Sequence, residues 1–383
     1  MTVRVRIVFL VSTLRQSGPT VQLFNIVRHL DRGEFDPVVV TLSAEPRDSM
    51  LGAFRELGAR VESLSLTRTR SMLGGLRRRI GRLVTFELDS GCVIHSQGIR
   101  PDVIAARELG GLTRVATVHN YPHDDYPLKY GPLMGRWMAR RHLQAFHSLP
   151  ILVACSSTLA DRLREQGLGA AVIRNGVDTG TFNAVPPAKR ARLRLELGLD
   201  DDSMVGISVG SMIPRKNPLS IVRAMKRIDS GRVAILFVGG GMLEAQARLH
   251  AATDHRILFS GHVGDVFRYM QAADFFVSAS RAEGLPSAVL EALACGLPVV
   301  LSDIAPHREV LSLMPGAGEL FRLEDDSALS SAIERAAASA QNERAPRAEQ
   351  AARLFGAEQI SRGYQELYRR VLRTSAGGES SAR

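Results

Sequence analysis

The chain has 383 residues, 45% of them hydrophobic and 23% charged, which is enough for two domains that each bury a core. Its formal net charge is +10 and uneven: residues 1–183 hold 24 Lys+Arg against 16 Asp+Glu, and every cation there but Lys129 is arginine. No apolar run reaches the roughly 18 residues of a spanning helix, and three scattered cysteines, Cys92, Cys155 and Cys295, exclude both a disulfide framework and a zinc spacing.

In chain order, residues 5–11 read as a strand. The arginines and short apolar run at the start are signal-like, but Gly18-Pro19 and a helical pattern over 21–30 follow at once. Residues 37–42 form the next strand, 51–57 a helix closed by Gly58, and 60–64 another strand. Further strands fall at 92–95, 115–119, 151–155 and 171–174. Strands alternating with helices predict a parallel, doubly wound sheet, and ligands bind such sheets beyond the carboxyl ends of the strands. Gly18, His95 and His119 all fall at those ends. Asn175-Gly176-Val177-Asp178 makes a turn, residues 183–188 read as a Pro-containing linker, and 189–197 as a short helix. A second alternating series has strands at 205–209, 233–238, 256–259, 275–277 and 298–301. The expected domains are therefore 1–183 and 184–355, followed by a helix at 356–373 that packs back on the first domain and a disordered tail at 374–383.

The most informative stretch is 280–303. Gly284 and Pro286 start a helix, with Pro286 as its first helical residue, and Gly296 and Pro298 end it. Glu283 stands just before this helix, and Glu291 is expected about two turns inside. Amide groups at a helix start, with the positive end of its dipole, form an anion site. A diphosphate over Leu285, Pro286, Ser287, Ala288 and Val289 would leave Glu283 to accept from a sugar hydroxyl and Glu291 from a ribose. The same spacing also suits a capped helix carrying two solvated glutamates.

Around this stretch runs an ordered series of landmarks: Asn175-Gly-Val-Asp178, then Val209-Gly-Ser-Met-Ile-Pro-Arg-Lys-Asn217, Val238-Gly-Gly-Gly241, Phe259-Ser-Gly-His-Val263, Glu283-Gly-Leu-Pro286 and Glu291. Covering about residues 5–372, the series resembles retaining glycosyltransferase family 4, whose paired glutamates stand eight positions apart. The resemblance implies the GT-B fold: an α/β architecture of two doubly wound Rossmann-like domains facing each other across a cleft. It implies metal-independent transfer of a hexosyl group from a UDP- or GDP-linked donor to a hydroxyl, with no cofactor besides that donor. Front-face attack is implied, and domain closure over the donor would exclude water. Lys216 and Arg215, beside Gly210 and Ser211, would hold the diphosphate, together with the backbone from Gly284 to Val289. Glu291 would bind ribose, and Glu283 a hydroxyl of the donor sugar. The turns at Gly239 and at Gly261, His262 and Val263 would line the base. His119 would approach the transferred sugar, and Gly18 would let donor and acceptor near the backbone. His95 is read as structural. His119, Glu283, Lys216 and Arg215 are thus the expected catalytic residues.

One departure stands out. Members of the family often carry arginine where this chain has Ser211, and Arg215 is the residue placed to substitute for it. Asp124-Asp125, in a Pro- and Tyr-rich loop, and Asp200-Asp-Asp202, in a polar turn, read as solvated rather than metal-binding.

Residues 66–83 mix arginines with Leu, Met and Ile at roughly helical spacing, and Arg136-Trp-Met-Ala-Arg-Arg141 repeats the mixture. Such segments bind anionic lipid surfaces or form solvated faces on ordinary helices. The expectation is a cytoplasmic enzyme, peripheral on the inner membrane face, that glycosylates a glycan or lipid-linked acceptor in envelope or exported polysaccharide synthesis. No nucleic-acid recognition motif accompanies the charge. Two other readings stay open: a sugar-nucleotide epimerase of the same two-domain outline, and a non-enzymatic nucleotide-sugar-binding partner of an active transferase, which Ser211 alone favours.

Overall fold

The computed structural model describes residues 4–66, 75–84, 91–339 and 344–379. They form two compact units, one of residues 1–176 and 357–383 and one of residues 177–356.

The first unit runs β1 (Val5–Val11), α1 (Gly18–Arg28), β2 (Phe35–Thr41), α2 (Leu51–Glu56), β3 (Arg60–Ser63) and α3 (Leu76–Val84). It continues with β4 (Cys92–Gln97), α4 (Ile99–Glu108), β5 (Thr113–Val118), α5 (Pro122–Tyr130) and α6 (Pro132–Phe146). Then come β6 (Ile151–Ala154), α7 (Ser157–Arg164) and β7 (Ala170–Val172). The strands make one parallel sheet in the order β3-β2-β1-β4-β5-β6-β7. β4 is buried along its whole length, its polar His95, Ser96 and Gln97 included, as expected where helices cover both faces of a parallel sheet.

The second unit holds α8 (Pro187–Glu196), β8 (Met204–Val209), α9 (Pro218–Met225), β9 (Val233–Val238), α10 (Glu244–Ala251), β10 (Ile257–Gly261) and α11 (Val266–Ala272). β11 (Phe275–Ser278), α12 (Ser287–Ala294), β12 (Val299–Ser302), α13 (Ala305–Leu313), β13 (Gly318–Phe321), α14 (Asp326–Ser339) and α15 (Arg344–Phe355) complete it. Its parallel sheet has the order β10-β9-β8-β11-β12-β13. The edge strand β13 has no counterpart in the sequence reading: its four residues are too few and too polar to show a pattern.

The last helix, α16 (Ala357–Glu379), returns to the first unit. Ile360, Tyr364, Leu367, Tyr368 and Val371 lie on one helical face and pack into the core of that unit with Ile7, Phe9 and Phe35. Burying such side chains stabilises by about 2 kcal/mol each. The helix passes Leu372 and runs to Glu379, so residues 374–379 are helical and not the disordered tail that their Ser/Gly content predicts. Residues 380–383 lie outside the described part.

The boundary between the units also moves. Gly176 is clamped in the first unit, its N–H donating to Gln22 Oε1 at 2.6 Å and its carbonyl accepting from Gln22 Nε2 at 2.9 Å. Val177 already belongs to the second unit, where its N–H donates to Phe355 O at 2.8 Å. The Pro-containing stretch at 183–188 is therefore internal to the second unit, with Gln271 holding Asn183 and Thr181. A second correction concerns Asp124-Asp125. Their segment is helix α5, not a loop, because Gly135 of α6 packs so closely that a Cβ there would lie 2.4 Å from the backbone of Pro127. Tertiary packing overrides the two prolines.

Candidate active site

In each sheet the strand order reverses beside the first strand of its unit, between β1 and β4 and between β8 and β11. Crevices open at such switch points beyond the carboxyl ends of the strands.

In the second unit, three loops interlock at that end. Gly210 N–H donates to Val238 O at 3.0 Å, Met212 N–H to Gly240 O at 2.9 Å, and Gly239 N–H to Gly261 O at 2.8 Å. Gly239 has a φ of +126°, and a Cβ on it would sit 2.2 Å from Gly210 O, so only glycine fits. Gly210, Gly239 and Gly261 are thereby drawn together, with His262 beside Gly240, Val263 half-buried and Ser211 exposed.

The loop after β8 carries the cations to the loop after β11. Arg281 N–H donates to Arg215 O at 2.8 Å, which ties the two loops. Arg215 Nη1 donates to Glu283 Oε2 at 2.8 Å and to Ala282 O at 2.9 Å, and Lys216 Nζ donates to Glu283 Oε1 at 2.5 Å. The Glu283 side chain is only 6% exposed, so the picture of a solvated glutamate at a loop tip fails. Burial alone would raise its carboxyl, but Lys216 and Arg215 outweigh burial and hold it down at about 2. Two fixed cations against one carboxylate leave a surplus positive charge at the switch point as long as Glu291 holds its proton.

Gly284, Leu285 and Pro286 are buried and lead into α12, whose Ser287 and Ala288 are half-buried and Val289 buried. Pro286 is the N-cap rather than the first helical residue, and the helix opens at Ser287. Glu291 consequently stands little more than one turn inside, not two. It is half-buried, and burial pushes its carboxyl up to about 7 against the opposing pull of Lys216. Arg344 secures the far end of this helix, donating to Cys295 O at 3.1 Å and Ala273 O at 2.9 Å.

One histidine here escaped the sequence reading. His307 of α13 is fully buried, with Nδ1 donating to Ser302 O at 2.7 Å, while Nε2 has no hydrogen-bond partner among the described residues. Burial lowers it to about 4, Glu283 draws it up and Lys216 down, and it therefore faces this charge cluster as a neutral ring. Ser302 Oγ also donates to Ser280 O at 2.5 Å, and the Ser280 side chain supports Glu283. No motif spacing marks His307; its signal is its position just past the carboxyl end of β12.

In the first unit, Gly18 begins α1 after the N-cap Ser17, and a Cβ there would meet open space. Nothing inside the unit requires glycine at that position. His119, just past β5, donates from Nε2 to Gln97 Oε1 at 3.0 Å and is lowered by burial to about 4, so it is neutral. His95 is fully buried between the Tyr368 hydroxyl and Thr117 Oγ1, each at 2.7 Å, and ties α16 to the sheet. It is structural, as read. Asp124 pairs with Arg162, and Asp201 with Arg194 at 3.2 Å. Among the described residues no three His, Cys, Asp or Glu side chains gather as a metal group, no helix is long and apolar enough to cross a membrane, and the three cysteines are buried without a disulfide between them.

Comparisons with known proteins bear on the chain as a whole. A family model described as glycosyl transferases group 1 matches residues 204–339, and one described as glycosyltransferase family 4 matches residues 16–181. The chain is 28% identical over 258 residues to the Escherichia coli UDP-Gal:α-D-GlcNAc-diphosphoundecaprenol α-1,3-galactosyltransferase, an overlap of 63% of this chain and 65% of that protein. It is 24% identical to the O-antigen biosynthesis glycosyltransferase WclY of Escherichia coli over 81% of this chain and 83% of that one. HepE of Anabaena, solved with UDP, shares the fold at a TM-score of 0.77 and 18% identity, over 94% of this chain and 99% of that one. Two α/β units with parallel sheets, a family model matched in each and these relatives place the chain among the glycosyltransferases of group 1 and family 4, with the GT-B fold.

Proposed function

We propose that the protein is a retaining, metal-independent hexosyltransferase that moves a sugar from a nucleoside diphosphate to a hydroxyl of a lipid-linked glycan. The observation that carries this reading is Glu283, buried against Arg215 and Lys216 at the switch point of the second unit. A diphosphate adds negative charge where this cluster has positive charge to spare. As the bond from the anomeric carbon to the phosphate oxygen breaks, the leaving diphosphate gains charge, and preorganised cations stabilise that state more than the ground state. Glu283, kept ionised and oriented, accepts from a hydroxyl of the sugar. Glu291 accepts from the ribose, and the amides of the first turn of α12 face the phosphates. The acceptor oxygen attacks from the face the diphosphate leaves, and its proton passes to the departing phosphate oxygen. Neutral His119 serves the sugar without competing for that proton.

The Escherichia coli galactosyltransferase, named for a UDP-Gal donor and a diphosphoundecaprenol-linked acceptor, favours UDP and a lipid diphosphate for this chain as well. Buried cysteines without a disulfide suit the reducing cytoplasm, where this reading puts the enzyme.

The test is a thermal-shift series with UDP, GDP and ADP in EDTA, followed by NMR of the product of the stabilising donor. Stabilisation by one nucleotide without metal, and a product with the anomeric configuration of the donor, is the expected result. Inversion, or a strict need for a divalent cation, would overturn the mechanism.

A further inference from the structure

The membrane contact expected at residues 66–83 falls partly outside the described residues. Residues 67–74 lie outside the described part, and in α3 the apolar Leu76 and Ile80 are both buried in the first unit. Arg77, Arg78, Arg79 and Arg82 are exposed. Apolar side chains that are committed to a core are not available to insert in a lipid surface.

The hairpin of α5 and α6 is the reverse case. At its tip Leu128, Tyr130, Leu133, Met134 and Trp137 are exposed, Leu133 by 83% and Trp137 by 52%. Single exposed apolar residues are ordinary, but five large ones on one hairpin mark a contact surface. The hairpin is braced from beneath, so this exposure is not slack packing. Asp102 of α4 accepts from His142 Nε2 at 2.8 Å, and His142 Nδ1 accepts from the Tyr126 hydroxyl at 2.6 Å. Asp102 and His142 are both buried, and Gly135 allows the two helices to touch.

We propose that this tip is a wedge that seats the first unit in an anionic lipid surface. Charge selects that occupant. Exposed Lys129, Arg136 and Arg140 surround the apolar residues, and no Asp or Glu occurs between Asp125 and Asp161. Trp137 and Tyr130 are the residue types that settle at a headgroup boundary, with an apolar body and a polar edge. Arg141 lies 5.0 Å over the Trp137 ring and Lys129 5.3 Å over Tyr130, so each aromatic carries its own cation towards lipid phosphate. The proposal rests on the reading above for its purpose, since a lipid-linked acceptor must be met at a membrane.

Trp137 is the only tryptophan of the chain, which makes it a built-in probe. Its emission is followed as full-length protein is titrated with vesicles of phosphatidylglycerol and phosphatidylethanolamine, and with phosphatidylcholine alone. The expected result is a blue shift and quenching by acyl-brominated lipid on the anionic vesicles, with at least tenfold weaker partition on the neutral ones. A Leu133→Asp, Met134→Asp double variant, altered only at exposed positions, is expected to lose at least tenfold in partition and to keep its melting temperature and its stabilisation by UDP. An unshifted spectrum at lipid excess, or equal partition of the double variant, overturns the wedge. A shift that grows with protein concentration without lipid overturns it in favour of a second copy as the occupant. Transfer to a water-soluble acceptor lacking the lipid reports on the enzyme separately: its failure with intact partition would overturn the functional reading and leave the wedge standing.

Discussion

The two switch points differ in charge. In the second unit, Arg215, Lys216 and Glu283 make a compact ionic cluster. At the corresponding place in the first unit, the groups at the ends of β4 and β5 are Gln97 and a histidine kept neutral by burial, and the charged groups of the adjoining segments are engaged elsewhere, Arg15 with Asp48, Glu45 with the Leu14 amide and Arg100 with Ser43. One crevice is preorganised for a strongly charged ligand, which electrostatics can hold from a few fixed points. The other offers neutral hydrogen-bonding groups at the ends of β4 and β5, suited to hydroxyls. A duplicated architecture thus supports two kinds of recognition, and the difference lies in a handful of side chains at strand ends.

The largest expected effect breaks the ionic side. Lys216→Ala should lower kcat/KM by roughly a thousandfold, or about 4 kcal/mol, as removal of one preorganised charge stabiliser does, and should weaken UDP binding as well. His119→Ala should lower kcat by roughly a hundredfold while leaving the UDP affinity unchanged. Steady-state kinetics and calorimetric titration of both variants make the comparison. Equal losses of UDP affinity would erase the proposed contrast between the two units. Because His119 is held near 4, kcat of the parent chain should show no histidine step between pH 5.5 and 7.5.

How much of this was legible in the sequence follows the same divide. The parallel sheets could be read because buried strands are short apolar runs and their punctuation is Gly and Pro. The charged site could be read because Arg215, Lys216, Glu283 and Glu291 stand in a spaced series. What escaped has no local signature. His307 reaches the cluster from a different strand-helix turn, and Gly176 marks a boundary only because Gln22, 154 positions away, clamps it. Helix α5 was hidden by its prolines and is rescued by contact with α6. Ser/Gly-rich residues 374–379 looked like a tail, yet they extend a helix whose preceding turns are anchored by Tyr364, Tyr368 and Val371.

A smaller effect sharpens the comparison through Glu291. Burial lifts its carboxyl from 4.5 to about 7, so between those values the folded chain holds a proton that the unfolded chain has released. Stability from this group therefore falls as pH rises through that window. Binding runs the other way, because a ribose hydroxyl donates to the ionised form. Between pH 6 and 8 the ionised fraction grows about tenfold, and UDP affinity should grow with it by that factor. Glu291→Gln should flatten this part of the profile, leaving only the titration of the nucleotide itself. An unchanged pH profile in that variant would remove Glu291 from the binding site.

The smallest effect bears on Ser211, where relatives of this family often carry arginine. Ser211 is exposed next to Gly210, and its backbone is held by Met212 N–H on Gly240 O and by Ile213 N–H on its own carbonyl at 2.9 Å. Arg215 already brings a guanidinium into the cluster, but it spends Nη1 on Glu283 and on Ala282 O. If the surplus charge is what matters, Ser211→Arg in the parent chain should gain less than about threefold in UDP affinity, the worth of one exposed charge pair. In an Arg215→Ala background the same change should recover most of what was lost, and a double-mutant cycle by calorimetry measures that coupling. A tenfold gain in the parent chain with no rescue in the Arg215→Ala background would mean that Arg215 acts only as a counter-ion of Glu283. The diphosphate would then rest on Lys216 and the start of α12 alone, and the charged crevice would owe its selectivity to backbone amides more than to its arginine.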